Sequence, residues 1–134
     1  MEKTNFERLE IYKLAEEIAD RVWLIASAWD RLAQDTVGKQ LIRSADSIGA
    51  NIAEGSGRGS DQDYRRFLRI ARGSLYETRH WLRRAFKRDL LNQVQIDELI
   101  PLLEKLTPKL NAYLKAIGTF NSKTENQSPK TDQL

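Results

Sequence analysis

The segment from Arg58 to Arg88 constrains the fold most, because it reads as one long helix with two opposed faces. On a wheel of 3.6 residues per turn, one narrow band holds six cations and one aromatic ring. We call this band the arginine stripe; it consists of Arg65, Arg69, Arg72, Tyr76, Arg79, Arg83 and Lys87. The far side is apolar and is predicted to face a core, with Phe67, Ile70, Ala71, Leu75, Trp81, Leu82, Ala85 and Phe86.

Positive charge is concentrated in this segment. It has ten Lys or Arg against three Asp or Glu, a net of +7, in a chain whose net charge is +3. The first 57 residues have seven basic and ten acidic side chains. Like charges four residues apart repel, so a face that serves only solubility would more cheaply alternate signs. Three explanations of the stripe remain open: it is a solvated surface, it binds a polyanion, or it binds an acidic protein surface.

Composition narrows the class of protein. A chain of 134 residues is predicted to form one domain. The absence of cysteine excludes disulfides and zinc sites built on sulfur. No apolar run reaches the ~20 residues that span a bilayer, and because the first residues contain no apolar segment, no signal peptide is expected. We expect a cytoplasmic protein without a membrane partner, a metal site or a cofactor.

Three further segments show helical periodicity, and none shows strand alternation. The predicted helices run from Phe6 to about Ala28, from about Asp35 to Glu54, from Ser60 to about Arg88, and from Gln93 to Ile117. The fold class is therefore all-α, an up-down-up-down four-helix bundle over residues 1–118. Pro101 and Pro108 are predicted to kink or divide the last helix, and Gly118 to end it. Residues 119–134 are predicted to be a disordered polar tail.

Capping residues mark the helix ends. Asn5 is a weak candidate cap for the first helix, and Ser60 a strong one for the third. Asn92 and Gln95 have the spacing of a capping box. The glycine-rich loop from Gly55 to Ser60 is predicted to be a tight reversal. In a second interpretation, the free N–H groups of this loop and the Arg58 side chain bind one phosphate of a nucleic acid.

One flank of the second helix carries small polar side chains: Gln40, Ser44, Ser47, Asn51 and Glu54. Small side chains allow a neighbouring helix to approach closely, and amides or carboxylates can hydrogen-bond across such a contact. This pattern favours a helix or subunit contact over an active site. Gly49 within the same helix also suggests a close neighbour. Trp23 and Trp29, near the end of the first helix, are predicted to be partly buried.

Three stretches together resemble one family. They are Phe6–Ala15 (FERLEIYKLA), Gln40–Arg58 (QLIRSADSIGANIAEGSGR) and Phe67–Glu77 (FLRIARGSLYE). The chain resembles the four-helix bundle proteins encoded in bacterial 23S rRNA intervening sequences, over about residues 6–118. Gly49, where the family often has proline, and Pro108 depart from its pattern.

The resemblance implies a ring-shaped homopentamer without established enzymatic activity. A distant relative, the accessory protein of diversity-generating retroelements, is a similar basic pentamer that works with a reverse transcriptase and RNA. A nucleic-acid-processing protein is therefore an expected partner only by analogy with that fold.

Nucleic-acid binding is the leading hypothesis for function. Arginine forms bidentate contacts with phosphate, and Tyr76 offers a stacking platform for a base. The predicted binding residues are the arginine stripe and Arg58, with RNA favoured over DNA through the family's genomic setting. The alternative is a scaffold whose stripe pairs with acids of a neighbouring subunit, namely Glu10, Glu16, Glu17, Asp20 and Glu54. Catalysis is not expected, because His80 is the single histidine and no acid arrangement points to a site.

Overall fold

Four helical rods make up the chain in this computed structural model, which describes Phe6 and residues 9–125, with side chains to residue 117. The elements are α1 (Glu10–Ser27), α2 (Arg31–Ala33), a π-helical segment (Gln34–Gly38), α3 (Lys39–Ser56), α4 (Asp61–Lys87) and α5 (Gln93–Glu125). The short α2 continues through the π-helical segment into α3, so these three elements form one rod. No strand occurs in the described part of the chain, and the prediction of an all-α protein with four helices is confirmed.

Neighbouring rods run antiparallel, since contacting residue numbers rise in one helix while they fall in the next. The pairs are Ser44–Thr78 and Ser47–Ser74 between α3 and α4, Arg72–Asn111 and Arg79–Thr107 between α4 and α5, and Glu10–Lys109 and Arg21–Glu98 between α1 and α5. Short loops join the rods, as expected for antiparallel neighbours. The bundle closes because α5 packs against both α4 and α1.

A continuous apolar core lies between the four rods. Leucines spaced three or four residues apart line the inner face of α5 and are almost completely buried: Leu99, Leu103, Leu106, Leu110 and Leu114. Burial of each such side chain contributes about 1.5–3 kcal/mol relative to exposure. The same core includes Ile18, Leu41, Ile48 and Leu75 from the other rods. The core therefore fixes which face of α4 is left outside.

Two predicted caps are confirmed. The Ser60 side chain accepts a hydrogen bond from the backbone N–H of Asp63 at 3.1 Å. The Asn92 side chain accepts from the N–H of Gln95 at 2.8 Å, and the Gln95 side chain accepts from the N–H of Asn92 at 3.0 Å, as in a capping box. The candidate cap Asn5 lies outside the described residues.

Several predicted helix boundaries are wrong. The first helix begins at Glu10 rather than Phe6, and Leu9 before it provides no side-chain cap. The second rod begins at Arg31 rather than near Asp35, because the Asp30 side chain accepts a hydrogen bond from the N–H of Ala33 at 2.9 Å. Because Asp30 caps α2, the connection between α1 and α2 is shorter than predicted.

The last helix is undivided, since α5 contains both Pro101 and Pro108 within its length. Of the two predicted effects of these prolines, division of the helix is wrong, and a kink stays a prediction. Each proline ring is exposed, and that placement keeps the missing N–H on the outer side of the rod. The helix passes through Gly118 and reaches Glu125, whereas Gly118 was expected to end it. Of the predicted tail, residues 126–134 lie outside the described part.

Three large side chains that were predicted to be partly or fully buried are exposed over about half of their surface. Trp23 is 58% exposed, Ile70 41% and Phe86 44%, whereas Trp29 is partly buried as predicted and its indole N–H donates to the Leu90 carbonyl at 2.9 Å. The apolar face of α4 is narrower than the sequence pattern indicated. Leu68, which the wheel did not single out, is completely buried.

Candidate nucleic-acid interface

The arginine stripe lies along the outer surface of α4, beside α5. Serine at the N-cap and aspartates in the first turn start α4, and its one buried face turns the remaining residues outward. Two of the stripe arginines lean onto α5. Arg72 Nη1 donates to Asn111 Oδ1 at 3.0 Å, and Arg79 Nη2 donates to Thr107 Oγ1 at 3.2 Å. Both partners are neutral, so these contacts fix the guanidinium groups without cancelling their charge.

The other members of the stripe differ in exposure. Arg69, Arg83 and Lys87 are exposed, Tyr76 is 50% exposed, and Arg65 is partly buried. Among the described side chains, Arg69, Arg83 and Lys87 form neither an ion pair nor a side-chain hydrogen bond. The stripe therefore has an inner row anchored on α5 and an outer row open to solvent.

Arg58 stands apart from this surface. Its guanidinium pairs with Glu54 at 3.1 Å and lies 4.9 Å from the centre of the Phe67 ring. Arg66 covers the same ring at 4.5 Å. In the glycine-rich loop, the N–H groups of Gly57 and Arg58 donate to the Glu54 and Gly55 carbonyls, at 3.2 and 3.1 Å. The role of this loop in holding a phosphate stays a prediction.

The polar flank of α3 faces α4 of the same chain. Ser44 accepts a hydrogen bond from Thr78 at 3.0 Å, and Ser47 accepts one from Ser74 at 2.9 Å. Asn51 donates to Ser47. Ser44 and Thr78 are completely buried, so their hydroxyls need these partners. The flank is thus a contact between helices at its centre, whereas at its ends Gln40 accepts a hydrogen bond from Arg43 and Glu54 pairs with Arg58.

A second charged surface lies on the other side of the bundle. A shallow groove of about 410 Å³ between α1 and α3 has a floor of alanine and glycine, with carboxylates at Glu16, Asp20 and Asp46. Burial, and after it the charge of Asp20, raises the pKa of the Asp46 carboxyl above its ordinary value. We call this surface the acidic groove. Sequence reasoning missed Asp46 because the pairing of α1 with α3 places it beside Asp20.

A family model matches most of the chain. The model of the 23S rRNA-intervening sequence protein covers residues 7–112. The chain belongs to this family. The match includes α1 to α4 and most of α5, and hence the whole arginine stripe and the acidic groove.

A solved structure supports the fold of this family member. It is the crystal structure of a protein of unknown function from the S23 ribosomal protein family of Bacteroides thetaiotaomicron, with a TM-score of 0.72 and 24% sequence identity. The alignment covers 78% of this chain and 98% of that chain. No curated protein matches the chain. Within residues 9–125, no helix has the length and apolar character needed to cross a membrane.

Proposed function

We propose that this family member is a non-enzymatic, oligomeric bundle of the cytoplasm that binds RNA through the arginine stripe of α4. One observation carries the proposal. Arg69, Arg72, Arg79, Arg83 and Lys87 have no carboxylate partner among the described side chains. Five cations on one helix face repel one another, and a polyanion relieves this repulsion.

Phosphate is the chemical group that best fits such a row. The stripe from Arg65 to Lys87 is about 33 Å long at ~1.5 Å per residue. Guanidinium groups form paired hydrogen bonds with phosphate oxygens, and Arg72 and Arg79 are already oriented by α5. A straight row of cations without base-reading amides favours recognition of the backbone over sequence. Several copies in one oligomer would increase the avidity.

RNA is favoured over DNA by the family alone. The matching family is described by an intervening sequence of 23S rRNA, which links its members to a transcribed RNA. The ring-shaped pentamer and a nucleic-acid-processing partner belong to this proposal through the same resemblance. The cations of the stripe do not themselves distinguish the two nucleic acids.

Charge reversal of the outer row tests the proposal. We expect the triple variant Arg69→Glu, Arg83→Glu and Lys87→Glu to lose RNA binding at least 100-fold in fluorescence anisotropy, because three phosphate contacts become repulsive. The matched control reverses three exposed lysines on other helices, Lys13, Lys39 and Lys105, for the same change in net charge. An equal loss of RNA affinity in both variants would show that net charge alone determines binding. That result would contradict a dedicated RNA-binding surface on α4.

A self-assembling scaffold is the second candidate, and the acidic groove favours it. Asp20 and Asp46 face the same groove and form no ion pair among the described residues, whereas Glu10, Glu17 and Glu54 are paired within the chain. A groove with carboxylates and a stripe of cations on different faces suit a head-to-tail contact, which forms a ring when the rotation between successive subunits closes. In this case the stripe is an interface between subunits.

One pair of measurements separates the two candidates. Light scattering after size exclusion gives the oligomer mass of the same triple variant, and the anisotropy assay gives its affinity for RNA. If the stripe binds RNA, the mass stays that of the unaltered protein while binding is lost. If the stripe pairs with the acidic groove, the oligomer dissociates, and Asp20→Lys with Asp46→Lys dissociates it as well.

A further inference from the structure

Tyr76 is the one aromatic ring in the arginine stripe, and its surroundings differ from those of Phe67 on the same helix. The Phe67 ring is covered by two guanidinium groups, from Arg58 and Arg66. Among the described side chains, no guanidinium or ring lies over Tyr76, which is 50% exposed. The flat face of this ring is therefore available to another planar group.

Gly73 leaves this ring uncovered. Side chains of a helix lean towards its N-terminus, so the Tyr76 ring extends over the turn that contains residues 72 and 73. A Cβ atom added at Gly73 would meet no side chain within 4 Å, so the surface at Gly73 is open. Arg72, the other residue of that turn, is held by its hydrogen bond to Asn111 on α5. We call the open surface at Gly73, on the turn towards which the Tyr76 side chain leans, the notch.

Cations lie on both sides of the notch along the helix axis. Arg69 and Arg83 are each seven residues from Tyr76, about 10 Å at ~1.5 Å per residue, and both are exposed. When a base stacks on Tyr76, the phosphates before and after that nucleotide therefore lie within reach of the guanidinium groups of Arg69 and Arg83. Alternation of an aromatic platform with backbone-binding cations is the usual arrangement of proteins that bind single strands.

We infer that the notch formed by Gly73 and Tyr76 accepts one unpaired base, so the arginine stripe binds single-stranded RNA in preference to a duplex. This inference rests on the proposed function, because it assigns a substrate class to the same surface. Bases in a duplex are stacked on each other and cannot reach the ring, whereas a single strand can present its bases to an aromatic side chain. A duplex is left with the phosphate contacts alone.

Binding of an unstructured 20-nucleotide RNA and of its duplex to the full chain tests the inference. Loss of one base–aromatic contact corresponds to about tenfold weaker binding. We expect Tyr76→Leu to lose about tenfold on the single strand and nothing on the duplex, while Tyr76→Phe binds both as the unaltered protein does. A 2-aminopurine base in the single strand should be quenched by the unaltered protein and by Tyr76→Phe, but not by Tyr76→Leu.

Gly73→Gln provides an independent variant that does not weaken the helix, since glutamine is a better helix former than glycine. It should fill the notch and weaken single-strand binding about tenfold, whereas Ala112→Gln at an exposed position of α5 should not. Equal affinity for both RNAs with no effect of Tyr76→Leu overturns the inference and leaves the proposed function intact. No binding of either RNA overturns both. Dissociation of the oligomer by Gly73→Gln overturns the inference by making the notch a subunit contact.

Discussion

Gly55 lies at a close approach between α3 and α4. A Cβ atom there would lie 2.9 Å from the Phe67 Cβ and 3.0 Å from the Tyr64 Cδ1. The Phe67 Cβ is fixed to the backbone of α4, so relief requires a shift of the helix itself. The absence of a side chain at Gly55 thus leaves room for Phe67 and Tyr64 at this contact.

We expect Gly55→Ala to lower the free energy of unfolding by about 1–3 kcal/mol, the usual cost of overpacking. Urea denaturation followed by circular dichroism measures this change. Gly49→Ala is the matched control, because its added Cβ would lie at an ordinary 3.5 Å from Tyr12. The control should gain up to about 1 kcal/mol from helix propensity. A stable Gly55→Ala variant would contradict the close-approach account.

Single residues were predictable from the sequence where their interactions are local. The caps at Ser60 and Asn92 depend on groups three residues away, so their sequence pattern was sufficient. The exposure of Ile70 and Phe86 depends on how wide a face of α4 is covered by the helices packed against it. A helical wheel of one segment does not give the width of that buried face. Asp30 was missed as a cap because the break between the first two helices was predicted to extend past it to Asp35.

Pairs of helices add information that one helix lacks. Ser44 and Ser47 were predicted to lie in a contact, but the wheel could not name Thr78 and Ser74 as their partners. Periodicity defines the face of a helix and leaves its register open. The π-helical segment Gln34–Gly38 was also unpredicted, since its residues do not differ in type from those of an ordinary helix.

The α1–α3 pair makes stability depend on pH through Asp46. Because burial and the charge of Asp20 raise its folded-state pKa, the folded state binds this proton more tightly than the unfolded state. The resulting stabilisation is complete below the ordinary aspartate pKa of about 4 and is lost as pH rises through the raised value. At neutral pH the ionised Asp46 therefore costs stability.

We expect Asp46→Asn to raise the free energy of unfolding at pH 7 by a few tenths of a kcal/mol, because solvent screens this exposed group. The gain should disappear between the raised pKa and about pH 4. Urea titrations at pH 7 and pH 4 measure it, with Glu104→Gln on α5 as a control for loss of one exposed carboxylate. A gain that is larger at pH 4 would contradict the assigned cause.

The whole molecule separates its charges onto different surfaces. The arginine stripe lies on α4 beside α5, and the acidic groove lies between α1 and α3. The concentration of positive charge in one helix was predictable by counting residues. The acidic groove was not, because it needs two helices from different parts of the sequence, and the number of subunits depends on contacts beyond a single chain.

Salt dependence of RNA binding tests the central account most directly. Three exposed cations that each displace a counterion from a single strand predict a slope of log K against log salt of about −2 or steeper. We expect Arg69→Gln to make this slope shallower by about 0.7, whereas Lys13→Gln on α1 leaves it unchanged. A slope near zero, or the same slope for Arg69→Gln as for the unaltered protein, would contradict RNA binding by the arginine stripe.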